Sequence, residues 1–322
     1  MADGMEKDQG DPKEDLSVAV AGLVKSFREL QASTDKRVAE AIQKRMFIPN
    51  VAMTPGADCG TFMPWSTCSA ADFFHPRYAD ICAMLMVQPK FHRKQWEYVY
   101  IIHKLQAAGS LRVGNRGIVF GVGRERLPAL FASLGMSIVA TDAPKKLGAT
   151  AGWSKTNQHS DSLEHLLWRD LVSDEVFHRN VLFRECDMRA IDDDLVDFDF
   201  TWSSCCFEHL GSLEKGIQFV IDSVGKTLKV GGVACHTTEF NLLSDDDTLK
   251  GGATVLYRRR DMKELIDRLR DLGHEVEPFV VAPNSHVMDH YVDSPPFIHD
   301  PHLKLRLGKY VATSAGIVVR KC

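Results

Sequence analysis

The stretch RGIVFGVGRERLPALFASLGMSIVATD, residues 116–142, decides the fold of this chain. An apolar run ends at Gly121 and Gly123, an amphipathic segment follows, and a second apolar run ends in Asp142. Glycines allow a tight turn and close approach of a ligand to the backbone, and the helix behind them offers N–H groups without partners. The pattern predicts a nucleotide-binding strand–helix–strand unit in which Asp142 accepts hydrogen bonds from ribose hydroxyls.

The glycine pattern departs from the dinucleotide fingerprint G-x-G-x-x-G, because Arg126 stands where the third glycine belongs. A dehydrogenase that binds a nicotinamide dinucleotide is therefore disfavoured. A lone G-x-G also fits an ordinary strand–helix turn. The remainder of the chain has to decide between these interpretations.

Composition and charge exclude several classes of protein. The 322 residues are 44% hydrophobic and 25% charged, which is typical of a globular protein with a substantial core. A net charge of -4 provides no overall basic field for nucleic acid or an anionic membrane. No apolar run is long enough for a membrane span, and the charged residues 1–15 are not expected to act as a secretory signal. The eight cysteines lack zinc-like spacing, so we expect reduced thiols in a cytoplasmic protein.

Apolar periodicity divides the chain into parts. Residues 16–45 show helical spacing with a predicted break near Ser33–Thr34, and residues 50–74 form a long loop rich in glycine, proline and serine. We expect these segments to form a lid or to make a homodimer through the N-terminal helices. The predicted parts are a disordered tail (1–14), a helical and loop extension (15–90) and the main domain (91–322).

Strands alternate regularly with helices in the main domain. This alternation predicts a parallel, doubly wound sheet, closed by an antiparallel pair at residues 275–280 and 310–319. The predicted strands are 117–120, 137–141, 181–184, 198–203 and 233–237, and the predicted helices are 90–108, 124–134, 163–177, 213–228 and 259–272.

Three further blocks carry a resemblance to a known family: LFRECDM (182–188), DFDFTWSSCCFEHLGSLEKGIQFV (197–220) and LKVGGVACHTTEF (228–240). Together with the glycine loop they resemble the Rossmann-like (class I) S-adenosylmethionine-dependent methyltransferases over residues 95–320. The resemblance implies an α/β fold whose Rossmann-like, doubly wound sheet has seven strands with the last one antiparallel. It also implies an enzyme whose cofactor is S-adenosyl-L-methionine.

The resemblance assigns roles to individual residues beside Gly121 and Gly123. Asp142 resembles the acid that holds the ribose, and Asp187 resembles the one that accepts from the adenine amino group, with Met188 beside the ring. Ser203 and Ser204 resemble the residues that line the floor of the site where the methyl donor lies.

The sequence departs from the family pattern at two positions. Val119 stands where the family has an acid, and Glu125 stands where it has the third glycine of G-x-G-x-G. Glu125 could instead accept from the amino group of the donor's methionine part. Arg124 or Arg126 could meet its carboxylate, or both could form a solvated helix face.

The catalytic candidates follow the fourth and fifth strands, whose carboxyl ends meet a bound ligand in open α/β sheets. His209 is the first choice for a base that takes a proton from an acceptor hydroxyl, with Glu208 and Glu239 beside it. Each also has a structural interpretation, as a packed histidine or as a carboxylate bound to a loop N–H. His236 is expected in the core.

Two clusters invite a metal interpretation. Residues 245–247 are three aspartates that could hold a magnesium ion beside a diol, or form a solvated acidic turn. His286 and His290 have the i, i+4 spacing of zinc ligands, with His299 and His302 nearby, but surrounding prolines favour a loop. We therefore assign no metal ligand from the sequence.

The resulting hypothesis is methyl transfer to a hydroxyl oxygen of a small-molecule or glycan-linked acceptor. GVGRERLPALFASLG (121–135) and GWSKTNQH (152–159) are similar to a bacterial subfamily found among glycan-biosynthesis enzymes. The alternatives are an N- or C-methyltransferase acting on another small molecule or macromolecule, and a non-catalytic scaffold that binds the cofactor. The overall charge argues against a nucleic-acid substrate.

Overall fold

The computed structural model describes residues 12–43, 48–49, 51–53, 60–144, 160 and 162–322. The chain divides into two compact units, Met1–Ile48 with Ser294–Phe297, and Pro49–Asp293 with Ile298–Cys322. In the first unit, α1 spans Pro12–Gln43 as one helix, so the break predicted near Ser33–Thr34 is wrong. Neither residue is Gly or Pro, and nothing in the backbone there prevents a helix from continuing. The helix also includes residues 12–14, which were predicted to belong to the tail.

The second unit contains the sheet and the remaining helices. Its helices are α2 Ala70–Phe73, α3 Pro76–Met84, α4 Arg93–Ala107, α5 Leu127–Ser133, α6 Asp174–Asn180, α7 Leu213–Asp222, α8 Arg259–Asp271 and α9 Val287–His290. Its strands are β1 Arg116–Phe120, β2 Ser137–Asp142, β3 Val181–Glu185, β4 Phe198–Ser204, β5 Leu228–Asn241, β6 Glu275–Val276, β7 Lys304–Leu307 and β8 Tyr310–Arg320. Short 3₁₀ turns occur at Leu163–Leu166 and Phe207–His209, and a π-helical turn at Ser223–Thr227.

The strand order is β3-β2-β1-β4-β5-β8-β6, and β7 pairs with β8. Strands β1 to β5 are parallel to one another, whereas β8 runs antiparallel to β5, β6 and β7. The predicted Rossmann-like, doubly wound sheet with an antiparallel closing strand is thus confirmed. The predicted strand number was wrong, because the described residues form eight strands rather than seven. The additional strand, β7, has only four residues and follows a stretch of histidines and prolines.

One predicted helix was also wrong. Residues 163–177 form a 3₁₀ turn followed by an irregular segment, and α6 begins only at Asp174. The Ser173 side chain accepts the N–H of Val176 and caps α6, and acidic residues occupy its first turn. Such a cap marks a helix start inside a segment whose apolar spacing favoured one longer helix.

Aromatic side chains fill both faces of the sheet, and α4 packs across β4, β5 and β8. Gly316 of β8 permits this contact, because a Cβ built there would lie 2.2 Å from the ring of Tyr100. The close approach places the first turn of α4 beside the carboxyl ends of β4 and β5. Within the described part of the chain, no helix has the length and hydropathy needed to cross a bilayer.

Candidate functional site

A cavity of about 590 Å³ opens at the carboxyl edge of the parallel strands. Because β3, β2, β1, β4 and β5 lie side by side, the loops that follow them meet along this edge. One end of the cavity is formed by residues after β1, β2 and β3, and the other by residues after β4, on β5 and in the first turns of α4. The volume is within the range typical of sites for small molecules and cofactors.

The glycine loop after β1 exposes backbone to the cavity. Gly121 and Gly123 have φ of +62° and +54°, a conformation that favours glycine. A Cβ on Gly121 would lie 2.9 Å from the side chain of Cys206. A side chain at position 121 would therefore displace Cys206, which lines the same cavity.

Asp142 connects the glycine loop to the end of β2. Its Oδ2 accepts the N–H groups of Gly123 and Ser160, both at 3.0 Å, and its Oδ1 accepts the N–H of Ala143 at 2.8 Å. The carboxylate is 5% exposed and lines the cavity. Asp142 thus ties the glycine loop, the end of β2 and Ser160 together at this end of the cavity.

Asp187 and Met188 lie after β3 and line the same end of the cavity. Arg189 donates to the Asp187 carboxylate and holds its pKa below the usual range. The carboxylate is therefore ionised at neutral pH and able to accept from a ligand. The Met188 sulfur lies beside Gly121, 3.6 Å from the position of a built Cβ.

The two serines at the end of β4 have different environments. Ser204 lines the cavity, and its hydroxyl donates to Glu97 at 3.1 Å. Ser203 is fully buried and hydrogen-bonded to Nδ1 of His236 at 2.8 Å, away from the cavity lining. The expected core position of His236 is confirmed, since Ser223 binds its Nε2 and burial lowers its pKa to about 3.

Glu125 is buried against Trp202, whose indole N–H donates to Oε1 at 2.6 Å. Burial, opposed by this hydrogen bond, raises the pKa of Glu125 to about 8, so the carboxyl group is mainly neutral at pH 7. Arg124 is exposed at the cavity, whereas Arg126 stacks over Trp168 at 4.3 Å. Of the two arginines, only Arg124 is placed to meet a ligand carboxylate.

The predicted catalytic residues meet at the other end of the cavity. Glu208 accepts the hydroxyl of Thr238 at 3.1 Å through Oε2, and His209 Nδ1 is hydrogen-bonded to the carbonyl of Ala253 at 2.8 Å. Glu239 forms an ion pair with Arg93 at 2.5 Å rather than a bond to a loop N–H. Burial, opposed by Arg93, raises the pKa of Glu239 to about 7.

Sequence reasoning missed the contribution of α4. Arg93 and Lys94 line the cavity and form ion pairs with Glu97 at 3.3 and 2.6 Å. Glu97 is fully buried and also accepts hydroxyl hydrogen bonds from Ser204, Thr237 and Ser314. The available signal was two basic residues in the first turn of a helix, where the macrodipole disfavours them.

Glu97→Gln is expected to lower the free energy of unfolding by about 3 kcal/mol, because it leaves two partly buried cations without the fully buried carboxylate that they share. Urea denaturation at pH 7 measures this. Burial opposes ionisation of Glu97, but Lys94 and Arg93 hold its pKa below the usual range. Its stabilising contribution is therefore present above the pKa of the unfolded chain and lost as the pH falls. Glu264→Gln, at an exposed position of α8, is the control, and equal stability of the two variants would contradict the stabilising role of the Glu97 ion pairs.

The aspartates at 245–247 and the histidine pair His286 and His290 are not arranged as the metal interpretations required. Asp246 pairs with Arg260, and Asp247 pairs with Lys309. Asp245 accepts the backbone N–H of Arg260. These contacts fit the alternative of an acidic turn. His286 caps α9 through Nδ1. In the described part of the chain, the side chains close enough to share a metal ion are instead His92, His299 and His302 in one group and Cys205, Glu208 and Glu239 in another.

Comparisons with known proteins find solved structures that are similar to this chain but no matching family model. No family model and no curated protein matches the chain. Similar structures include an S-adenosylmethionine-dependent methyltransferase from Clostridium acetobutylicum (11% identity, 76% of this chain, 98% of that one, TM-score 0.39). Another is a TehB-like S-adenosylmethionine-dependent methyltransferase from Corynebacterium glutamicum (14% identity, 70% of this chain, 96% of that one, TM-score 0.35). A third, assigned as a sarcosine dimethylglycine methyltransferase from Galdieria sulphuraria, is matched over about half its length (16% identity, 55% of this chain, 53% of that one, TM-score 0.32). The fold assignment rests on the strand order of the chain itself.

Proposed function

We propose that this chain is an S-adenosylmethionine-dependent methyltransferase that methylates a hydroxyl oxygen. One observation carries the proposal: a single cavity joins the glycine loop and Asp142 at one end to Arg93, Glu208 and Glu239 at the other. The first end has the groups that a nucleoside needs, and the second has groups that bind and deprotonate a polar acceptor. The family resemblance of residues 95–320 supports the same activity.

The residues at the first end fit the cofactor. The glycine loop presents backbone to the cavity, the Asp142 carboxylate lines the cavity beside that loop where ribose hydroxyls would lie, and Asp187 with Met188 suits an adenine. Glu125 would face the methionine part of the cofactor, where its raised pKa allows the carboxyl group to donate as well as accept. Once bound, S-adenosylmethionine supplies an electrophilic methyl group on a positively charged sulfur.

Three buried polar atoms at the second end have no hydrogen-bond partner among the described residues: Nε of Arg93, Oε1 of Glu208 and Oε2 of Glu239. Leaving such atoms unpaired costs about 1–3 kcal/mol each, which favours a ligand that completes them. Two of the atoms accept and one donates. A hydroxyl group both donates and accepts, whereas an ammonium group only donates, so the set favours a hydroxyl-bearing acceptor.

Glu239 is the proposed base. A pKa of about 7 leaves a large fraction of this carboxylate ionised at neutral pH while making it basic enough to take a proton from the acceptor hydroxyl. Arg93 holds the carboxylate in place through their ion pair. His209 is the second base candidate, because a proton on Nδ1 facing the Ala253 carbonyl puts the basic lone pair on Nε2.

A small-molecule or glycan-linked acceptor and a cytoplasmic location complete the proposal. The glycan class rests on the resemblance of residues 121–135 and 152–159, the second of which lies outside the described residues. The excess of acidic residues over the chain favours an uncharged or weakly charged acceptor over nucleic acid.

The test begins with calorimetric titration of S-adenosylmethionine and S-adenosylhomocysteine into the purified chain. We expect both to bind at a single site with micromolar dissociation constants. Radiolabelled methyl transfer is then measured with pairs of acceptors that differ only in a hydroxyl or an amine at one position. Absence of binding by both cofactor forms would overturn the proposal, and transfer restricted to the amine members would overturn the hydroxyl assignment.

A further inference from the structure

Three histidines from distant parts of the sequence form a cluster that the proposed reaction does not use. The ring centroid of His302 lies 4.8 Å from that of His92 and 5.0 Å from that of His299. The ring centroids of His92 and His299 are 6.1 Å apart. A nitrogen atom of each ring lies within 4.8 Å of a nitrogen of the other two. None of the three lines the large cavity.

Backbone hydrogen bonds hold the two segments of the cluster together. The N–H of His302 donates to the carbonyl of Phe91 at 2.6 Å, and the N–H of Arg93 donates to the carbonyl of His302 at 2.9 Å. His92 is thereby fixed opposite His302 at the start of α4. His299 adopts φ of +64°, an uncommon conformation for a residue other than glycine.

A buried carboxylate orients the central ring. Asp293 is fully buried, and its Oδ2 lies 2.6 Å from Nδ1 of His302. The same carboxylate accepts the backbone N–H groups of Ile298 and His299, at 3.0 to 3.1 Å. A carboxylate behind Nδ1 holds the proton there and puts the lone pair of His302 on Nε2, which is the arrangement that commonly supports a metal-binding histidine.

We propose that His92, His299 and His302 bind one divalent transition-metal ion of the zinc type. Metal–nitrogen bonds of about 2.1 Å in a tetrahedral site place imidazole centroids roughly 5 Å apart, close to the separations within the cluster. Three neutral imidazoles suit zinc, cobalt or nickel rather than magnesium or calcium, which prefer oxygen ligands. The fourth position is left to a water molecule.

The capping role of His92 gives the site a distinctive property. Its Nδ1 accepts the backbone N–H of Lys94 at 3.1 Å, so ligation through Nε2 requires the proton on Nδ1 and gives up this hydrogen bond. The metal would replace the cap and tie the segment of residues 298–302 to the start of α4. His92→Asn separates the two roles, because Asn caps helices well but removes the imidazole.

The experiment uses the full chain after chelator treatment, titrated with Co²⁺ and with Zn²⁺. We expect one equivalent of Co²⁺ to bind, with visible absorption bands of a four-coordinate nitrogen site, and Zn²⁺ to displace it. His299→Ala, His302→Gln and His92→Asn should each weaken binding at least 10-fold. His290→Ala, an exposed histidine outside the cluster, should bind as the wild type does.

Far-UV circular dichroism and thermal unfolding without metal establish that each variant is folded. His299 is exposed, so its variant keeps the test valid even if His302→Gln unfolds. No stoichiometric binding to the wild type, or wild-type affinity in folded His299→Ala, would overturn the site. A thiolate charge-transfer band that disappears in Cys205→Ser would place the ion at Cys205, Glu208 and Glu239 and would also overturn it.

Discussion

Glu239→Gln is expected to reduce kcat by a factor of about 10²–10⁴, the contribution typical of a positioned general base. Gln cannot take a proton from the acceptor hydroxyl, although it fills the same volume beside Arg93. Binding of S-adenosylhomocysteine should remain at the wild-type level, because Glu239 lies at the acceptor end of the cavity. Rapid-quench measurement of methyl transfer, with calorimetry of the same preparation, separates the two effects.

The pH dependence provides the matching control. The base acts when deprotonated, and burial raises the pKa of Glu239 to about 7. The rate should therefore increase as the pH rises through about 7 in the wild type, and this limb should be absent in the variant. If the limb persists in Glu239→Gln and disappears in His209→Ala, then His209 is the base and the assignment to Glu239 is wrong.

Asp142→Asn is expected to weaken binding of S-adenosylhomocysteine by about 100-fold. Both oxygens of Asp142 accept backbone N–H groups, so an amide would present its own donors to one of them. The ribose hydroxyls would also lose charge-assisted hydrogen bonds, each contributing roughly 1.5–3 kcal/mol. About 2.8 kcal/mol corresponds to the expected factor of 100 in the dissociation constant, measured by calorimetry.

Asp187→Asn is the matched comparison at the same end of the cavity. This carboxylate is partly exposed and bonded mainly to Arg189, so its replacement should weaken binding by only about 10-fold. An unchanged dissociation constant in folded Asp142→Asn would mean that the ribose does not contact this residue.

Much of the sheet could be predicted from the sequence because its strands are short apolar runs bounded by turn residues. Strands β1 and β2 follow directly from residues 116–142. Strand β7 could not be predicted in this way, because four residues carry too little periodicity and depend on pairing with β8. The prediction of one helix at 163–177 was wrong because the apolar residues of this segment reach the core from a 3₁₀ turn and an irregular segment as well as they would from a helix.

The position of a site residue was predictable where it lies at or near the carboxyl end of a parallel strand, and not where it comes from another element. Asp142 and Glu239 could be placed because strand ends of a parallel sheet meet at one edge. The role of Arg93 depends on α4 crossing that edge, which no local pattern encodes. The histidine cluster is similar, since His92 and His302 are brought together by backbone hydrogen bonds between segments more than 200 positions apart.

The position of β8 has a consequence for the order in which the two ends of the cavity can form. Ser314 of β8 binds both Arg93 and Glu97, and Gly316 provides the space in which α4 rests on the sheet. The glycine loop and Asp142 need only strands from the first two thirds of the chain. During synthesis, a nascent chain would complete the nucleoside-facing end well before its acceptor-facing end, because α4 gains the Ser314 hydrogen bonds and the space beside Gly316 only after β8 has been made.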